Sequence, residues 1–315
     1  MIYTQLGQTP FKVSRICYGA LTIGPLQANL SLSEGADVIR TAFDYGINFI
    51  DTAEMYLTYP YIKEALKGIN FDIVIATKSY AYTQELMAKS LEKARKELDR
   101  DVIEIFMLHE QESDLTLKGH WEAMEFLLNA KAKGIVGAVG ISTHAIEGVT
   151  AACKIKEIDV IHPILNKKGI GIIDGDINKM TEAVQQAFKE GKGIYGMKAI
   201  GGGNLIGNVQ QALEWAFQFE WAHSIAIGMK TPAEVHVNVA WLLGEQPDEE
   251  ILRQAKREKR KLHIEDWCSG CGACVQGCPQ KALKIVNKKA TVDIENCVLC
   301  GYCGAYCPDF CIKVI

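Results

Sequence analysis

Cysteine placement limits what this chain can fold into more than any other feature. Eight of its eleven cysteines fall between Cys268 and Cys307, in two runs of one spacing. The first run is Cys268, Cys271, Cys274 and Cys278, followed by Pro279. The second is Cys297, Cys300, Cys303 and Cys307, followed by Pro308, and lies 29 residues after the first at every position. Both read C-x2-C-x2-C-x3-C-P. Spacing of i, i+3, i+6 lets three thiolates wrap one face of an iron–sulfur cubane, whose irons each need a cap. Disulfide staples or a zinc pair are the alternatives, but zinc sites draw their ligands as two pairs, not as proline-closed runs of four. The spacing predicts that this part of the chain handles single electrons.

The two runs resemble the bacterial-type two-cluster [4Fe-4S] ferredoxins. In that group the fourth cysteine of each run serves the other cluster. The resemblance implies one cluster on Cys268, Cys271, Cys274 and Cys307, and a second on Cys297, Cys300, Cys303 and Cys278. The halves also align beyond the cysteines, CVQGCPQKALKIV with CGAYCPDFCIKVI, which puts Leu283 opposite Ile312 and Ile285 opposite Val314. Each half is therefore predicted to be a cysteine loop, a short helix and a strand about a pseudo-twofold axis. Cys311 falls where the first half has Ala282, so it reads as a small packed side chain and not a ninth ligand. Cys17 and Cys153 lie on apolar faces and read as core thiols.

At 315 residues, 48% hydrophobic and 23% charged, the chain has the composition of a soluble globular protein, long enough for a large barrel with an appendage. The opening MIYTQLGQTPFKVSRICYGA has no charged region leading into an apolar one, so no secretory signal is expected. No apolar run reaches membrane-spanning length. Unpaired thiols and oxygen-sensitive clusters fit a reducing cytoplasm. A net charge of −4 argues against nucleic-acid affinity. One segment runs against that balance: Arg253, Lys256, Arg257, Lys259, Arg260 and Lys261. It is either a solvated helix face or a patch, over 251–262, for an acidic redox protein.

Residues 15 to about 244 repeat a strand-then-helix rhythm. The strand runs are RICYGA (15–20), NFIDTA (48–53), IVIATK (73–78), IEIFMLH (103–109), VGAVGIS (136–142), VIHPILN (160–166), GIYGMKAI (193–200) and SIAIGM (224–229). Helical patterns such as TQELMAKSLEKARKEL (83–98) and HWEAMEFLLNAKAK (120–133) lie between them. Eight such units favour a closed α/β architecture, the (β/α)8 TIM barrel, over a flavodoxin-like doubly wound sheet. The preceding YTQLGQTPFKVS reads as an N-terminal β-hairpin plugging the barrel bottom. The predicted organisation is a barrel at 1–247, a helical linker at 248–262 and a small α+β ferredoxin-like domain at 263–315.

Chemistry in a (β/α)8 barrel sits at the C-terminal strand ends. Asp51, Tyr56, Lys78 and His109 meet that condition on strands two, three and four. Each alone has a structural explanation, but adjacent strand ends converge on one pocket. The segments NFIDTAEMY, IVIATK, IFMLH, GIVGAVGIS and GMKAIGGGNL resemble the aldo-keto reductase family, over residues 1–245. That resemblance implies a catalytic set in which Tyr56 protonates a carbonyl oxygen as hydride arrives at carbon. Lys78 would stabilise the phenolate and pull its pKa down from ~10. Asp51 would hold Lys78, and His109 would orient the carbonyl.

The same resemblance implies NADP(H) or NAD(H), bound by Ser142, Thr143, Asn166, Lys198, Gly202, Lys230, Thr231 and Asn238. Departures stand out: Ser142-Thr143 replaces a Ser-Asn pair, His162 a glutamine and Met197 a stacking aromatic. Glu234 falls about where an arginine would hold the 2′-phosphate, and a carboxylate there repels a phosphate dianion. GGGNL (201–205) reads as a pyrophosphate-side loop. The family's long C-terminal substrate loops are missing, with the basic helix and the cluster module in their place.

Two functions follow. One is an oxidoreductase acting on a small carbonyl or alcohol, with clusters relaying electrons. Hydride moves electrons in pairs and cubanes move them singly, so a flavin stays open as the link although no flavin motif is recognisable. The other is an electron-transfer or redox-sensing adaptor whose barrel only binds a ligand or partner. The linker, free of Pro and Gly, should be stiff and set the module over the barrel mouth, with one cubane facing the Tyr56–Lys78 pocket.

Overall fold

The computed structural model describes residues 1–257, the side chain of 257 apart, and residues 260–315. Strands β1 (Tyr3–Gln5) and β2 (Lys12–Ser14) pair antiparallel as the expected hairpin. Eight parallel strands follow: β3 (Ile16–Gly19), β4 (Phe49–Asp51), β5 (Val74–Ser79), β6 (Ile103–Leu108), β7 (Val136–Thr143), β8 (Val160–Pro163), β9 (Gly193–Gly196) and β10 (Ser224–Gly228). Pairing of β10 with β3 closes them into a barrel. Strands buried on both faces read as continuous apolar runs, which is why the sequence located each of them. The lumen is filled by Cys17, Phe49, Val74, Ala76, Ile105, Met107, Ala138, Val160 and Tyr195, with Leu6 and Val13 entering from the hairpin. The outer strand faces pack against the ring of helices.

Those helices begin where the sequence supplies caps. Ser31 and Glu34 form a capping box ahead of Leu32–Asp44, Thr83 caps Gln84–Leu98, and Thr231 caps Pro232–Leu242. None of the helices among the described residues is long and apolar enough to cross a membrane.

Beyond the barrel come the helix Glu249–Arg257 and strands β11 (Leu262–Ile264), β12 (Leu283–Val286), β13 (Lys289–Val292) and β14 (Ile312–Val314). The helical linker was expected over 248–262, but residues 260 and 261 are not helical. From Leu262 the chain pairs antiparallel with β14. Lys259 of the basic run lies outside the described residues. Short helices Ala273–Gln276 and Tyr302–Ala305 follow the two cysteine loops, and β12 and β14 hold equivalent places in the two halves. Cys311 is buried, and its N–H donates to Cys307 Sγ at 3.2 Å. Cys17 is fully buried in the lumen; Cys153 is half-buried at the end of Ile146–Cys153.

The module docks on the loop after β9. Val314 N–H donates to Gly202 O at 3.0 Å, and the Asn204 amide donates to Ile312 O at 3.1 Å. Two glycines in the left-handed region permit the contact. A Cβ on Gly203 (φ +83°) would lie 1.9 Å from Val314 O, and one on Gly301 (φ +76°) would lie 2.2 Å from Asn204 O. The GGGNL stretch, expected to face a pyrophosphate, thus receives the cysteine-rich module at the barrel's C-terminal end.

Candidate active site

Strand register brings the four expected residues together. Asp51 ends β4 and Lys78 lies on β5, whose neighbour β6 delivers His109 just past its end. Tyr56 closes the 3-10 turn Glu54–Tyr56, and Leu57 then turns left-handed at φ 59°. Lys78 Nζ donates to both Asp51 oxygens (2.8 and 3.0 Å) and to Thr52 O (2.7 Å), and it lies 5.0 Å from the centre of the Tyr56 ring. The His109 ring meets Tyr56 edge-on at 5.8 Å and stacks on Tyr80 at 4.3 Å. His109 Nδ1 is buried without a hydrogen-bond partner among the described residues.

One expectation changes direction. Lys78 was expected to pull the Tyr56 phenol down, but burial first, then Asp51 and Glu110, hold it well above a tyrosine's ordinary value. The ammonium's three donors are committed to Asp51 and Thr52. A phenol held protonated can donate, and His109, pushed by burial well below the ordinary histidine value, stays a neutral imidazole. Removing the lysine strands a buried carboxylate: Lys78→Met is expected to cost ~3–5 kcal/mol in denaturant unfolding, while Asp51→Asn/Lys78→Met should recover part of that loss.

Sequence reasoning missed part of the arrangement beneath Asp51. Tyr195 Oη donates to Asp51 Oδ1 at 2.9 Å, and the His162 ring stacks on Tyr195 at 3.8 Å. His162 Nε2 stands 3.5 Å from Asp51, but burial pushes its pKa to about 4, so the ring is neutral. Tyr195 lies on β9 with its ring in the lumen, and nothing local in GIYGMKAI sets it apart from an ordinary core aromatic.

Above these residues opens a cavity of about 530 Å³ lined by Asp51, Tyr56, His162, Met197, Lys198, Gly202, Lys230 and Thr231 from the barrel. Arg260, Lys261, Lys313 and Val314 complete its wall from the later part of the chain. A second cavity of about 550 Å³ holds Asn238 and shares Ile200, Ile227, Gly228, Glu234 and Arg260 with the first. These shared residues form a common wall between the two cavities. Arg260 pairs with Glu234 at 2.7 Å, so the carboxylate expected to repel a phosphate has a cation beside it, supplied by the linker. Arg253, in contrast, pairs with Glu250 at 2.8 Å on the exposed face.

The other nucleotide-side residues are engaged elsewhere. Ser142 Oγ accepts from Glu110 N at 2.9 Å, Thr143 Oγ1 from Ala145 N at 2.9 Å, and Asn166 is bonded within its own loop to Lys168 and Ile170. The cysteines gather in two small pockets. One is lined by Cys278, Cys297, Cys300 and Cys303, the other by Cys268, Cys271, Cys274 and Cys307, with Cys311 also on its wall. Backbone N–H groups of Ala282 and Ala290 donate to Cys278 Sγ (3.4 Å) and Cys268 Sγ (3.5 Å).

A family model for the aldo/keto reductases matches residues 15–215. The chain belongs to the aldo/keto reductase family. A second model, for 4Fe-4S dicluster domains, matches residues 260–308. L-galactose dehydrogenase from Arabidopsis thaliana is 22% identical over 307 residues, covering 84% of this chain and 96% of that protein. D-threo-aldose 1-dehydrogenase from a Pseudomonas species is 21% identical, covering 73% and 89%. At the other end, a component of an ion-translocating oxidoreductase complex from Methanosarcina acetivorans is 38% identical over 54 residues, 17% of this chain and 20% of that one. A solved aldo-keto reductase from Bacillus halodurans, in its holo form, superposes with a TM-score of 0.64 at 18% identity, covering 81% and 95%. This aldo/keto reductase thus joins an oxidoreductase barrel to an iron–sulfur domain.

Proposed function

We propose that this aldo/keto reductase interconverts a small carbonyl compound and its alcohol at the barrel mouth, exchanging electrons through two [4Fe-4S] clusters and a nicotinamide dinucleotide. The observation that carries the reading is a shared wall: Lys313 and Val314, just after the second cysteine run, line the same cavity as Asp51 and Tyr56. Crossed sets of cysteines, Cys268, Cys271, Cys274, Cys307 and Cys297, Cys300, Cys303, Cys278, would hold the clusters. When bound, the dinucleotide supplies or accepts hydride and the clusters supply or accept single electrons. The chain's own part is proton supply and placement. Tyr56 gives its phenolic proton to the carbonyl oxygen, Lys78 and Asp51 fix the charge beside it, and His109 aims the carbonyl. Lys230, Thr231 and Arg260 would hold phosphate oxygens in that cavity.

The engagement of Ser142, Thr143 and Asn166 favours a second reading, an adaptor that binds a ligand without turnover. Reconstituted protein under argon, assayed with aldehydes and ketones against NADPH, NADH and a reduced viologen, separates the two. Turnover with any donor supports the enzyme; none with all three leaves the adaptor.

A further inference from the structure

Two lysines from different parts of the chain share one phenylalanine ring at the mouth. Lys198, just past β9, has its Nζ 4.6 Å from the centre of the Phe310 ring, and Lys313, on β14, has its Nζ 5.6 Å from the same centre. Both line the cavity that holds Asp51 and Tyr56. Lys313 donates to Glu265 and lies 4.9 Å over Trp267. Lys198 has no carboxylate in ion-pair contact among the described residues. Its Nζ meets His144 Nε2 at 2.7 Å, and His144 in turn stands 3.8 Å from Glu110. Burial first, then the Lys313 charge, pulls Lys198 down to about 7, the behaviour of an ammonium short of counter-charge. Its backbone is left-handed, φ 58°, a conformation unfavourable for a residue with a Cβ and one that gathers at ligand sites.

Given a carbonyl site at Tyr56, we propose that the substrate carries a carboxylate or phosphate, and that Lys198 and Lys313 hold this anionic group. One cation comes from the barrel and one from the cluster module, so the selective contact exists only when the two are docked. Two ammonium groups around an apolar ring suit a compact anion, which takes a charge-assisted hydrogen bond from each. The dinucleotide's phosphates are the other source of such an anion. Arg260 lines both cavities, whereas Lys198 and Lys313 line the first, with Tyr56, and not the second.

Matched probes test this on the full chain with its clusters reconstituted. Calorimetry compares pyruvate with methyl pyruvate, and dihydroxyacetone phosphate with dihydroxyacetone; within each pair only the anionic group is lost. The anionic member of at least one pair should bind at least about 10-fold more tightly. Lys198→Gln should weaken that binding by about 10- to 100-fold, the loss of one charge-assisted bond, without changing the neutral partner, and Lys198→Arg should retain most of it. Lys313→Gln should weaken it in the same direction. Inorganic phosphate should compete with the anionic member. No preference for the anion in either pair, or a preference that survives Lys198→Gln, overturns the proposal. If Lys198→Gln weakens NADPH binding and leaves the probe pairs untouched, the anion is the dinucleotide's and the substrate assignment falls. If anionic probes bind through Lys198 but no donor drives turnover, the enzyme reading fails and the anion site stands.

Discussion

Tyr56→Phe is expected to slow carbonyl reduction by ~10²–10⁴-fold, the usual worth of a positioned general acid, while fold and cluster content stay unchanged. The reason lies in the surroundings of the phenol. Burial and the nearby carboxylates hold it protonated, the Lys78 ammonium is 5.0 Å from its ring centre, and His109 lies edge-on at 5.8 Å. Phenylalanine keeps the ring contacts and removes only the proton. The measurement is kcat under argon at saturating substrate, with circular dichroism and iron content as controls. Turnover at the wild-type rate would show that the proton reaches the oxygen by another route.

Reconstitution should yield about eight irons and eight acid-labile sulfides per chain, the content of two cubanes. Cys278→Ala should damage the cluster built on Cys297, Cys300 and Cys303, although Cys278 belongs by sequence to the first run. Electron paramagnetic resonance of the reduced variant checks which signal disappears. Loss of only the other signal would mean that each run holds its own cluster. Zinc, or half the iron, would rule out paired cubanes. The pocket joining Cys278 to the second run is the ground for the crossed expectation.

Much of the fold was legible because its signals are local. Parallel strands covered on both faces spell out as apolar runs. Asp51, Lys78 and His109 were legible through the rule that strand ends face one pocket. Contacts between distant segments were not. Phe310, Lys313 and Arg260 reach the mouth only because β11 pairs with β14 and the module folds back onto Gly202 and Asn204. Nothing local distinguishes Arg260 from the other basic residues of its run, yet it pairs with Glu234 on the wall shared by the two cavities while Arg253 pairs on the exposed helix face. The glycines at 201–203 were visible, but their purpose was not, since a tight turn against phosphate and one against Val314 need the same residues.

Direct exchange between the barrel pocket and the cysteine-rich module is tested most directly by an anaerobic titration of reconstituted protein with NADPH and, separately, NADH, following the visible absorbance of the clusters. The expected result is bleaching by at least one nucleotide without an added mediator, and recovery of the colour when a carbonyl substrate is then supplied. Nucleotide oxidised by substrate while the clusters keep an unchanged spectrum throughout would contradict it, because pocket and clusters would then exchange no electrons.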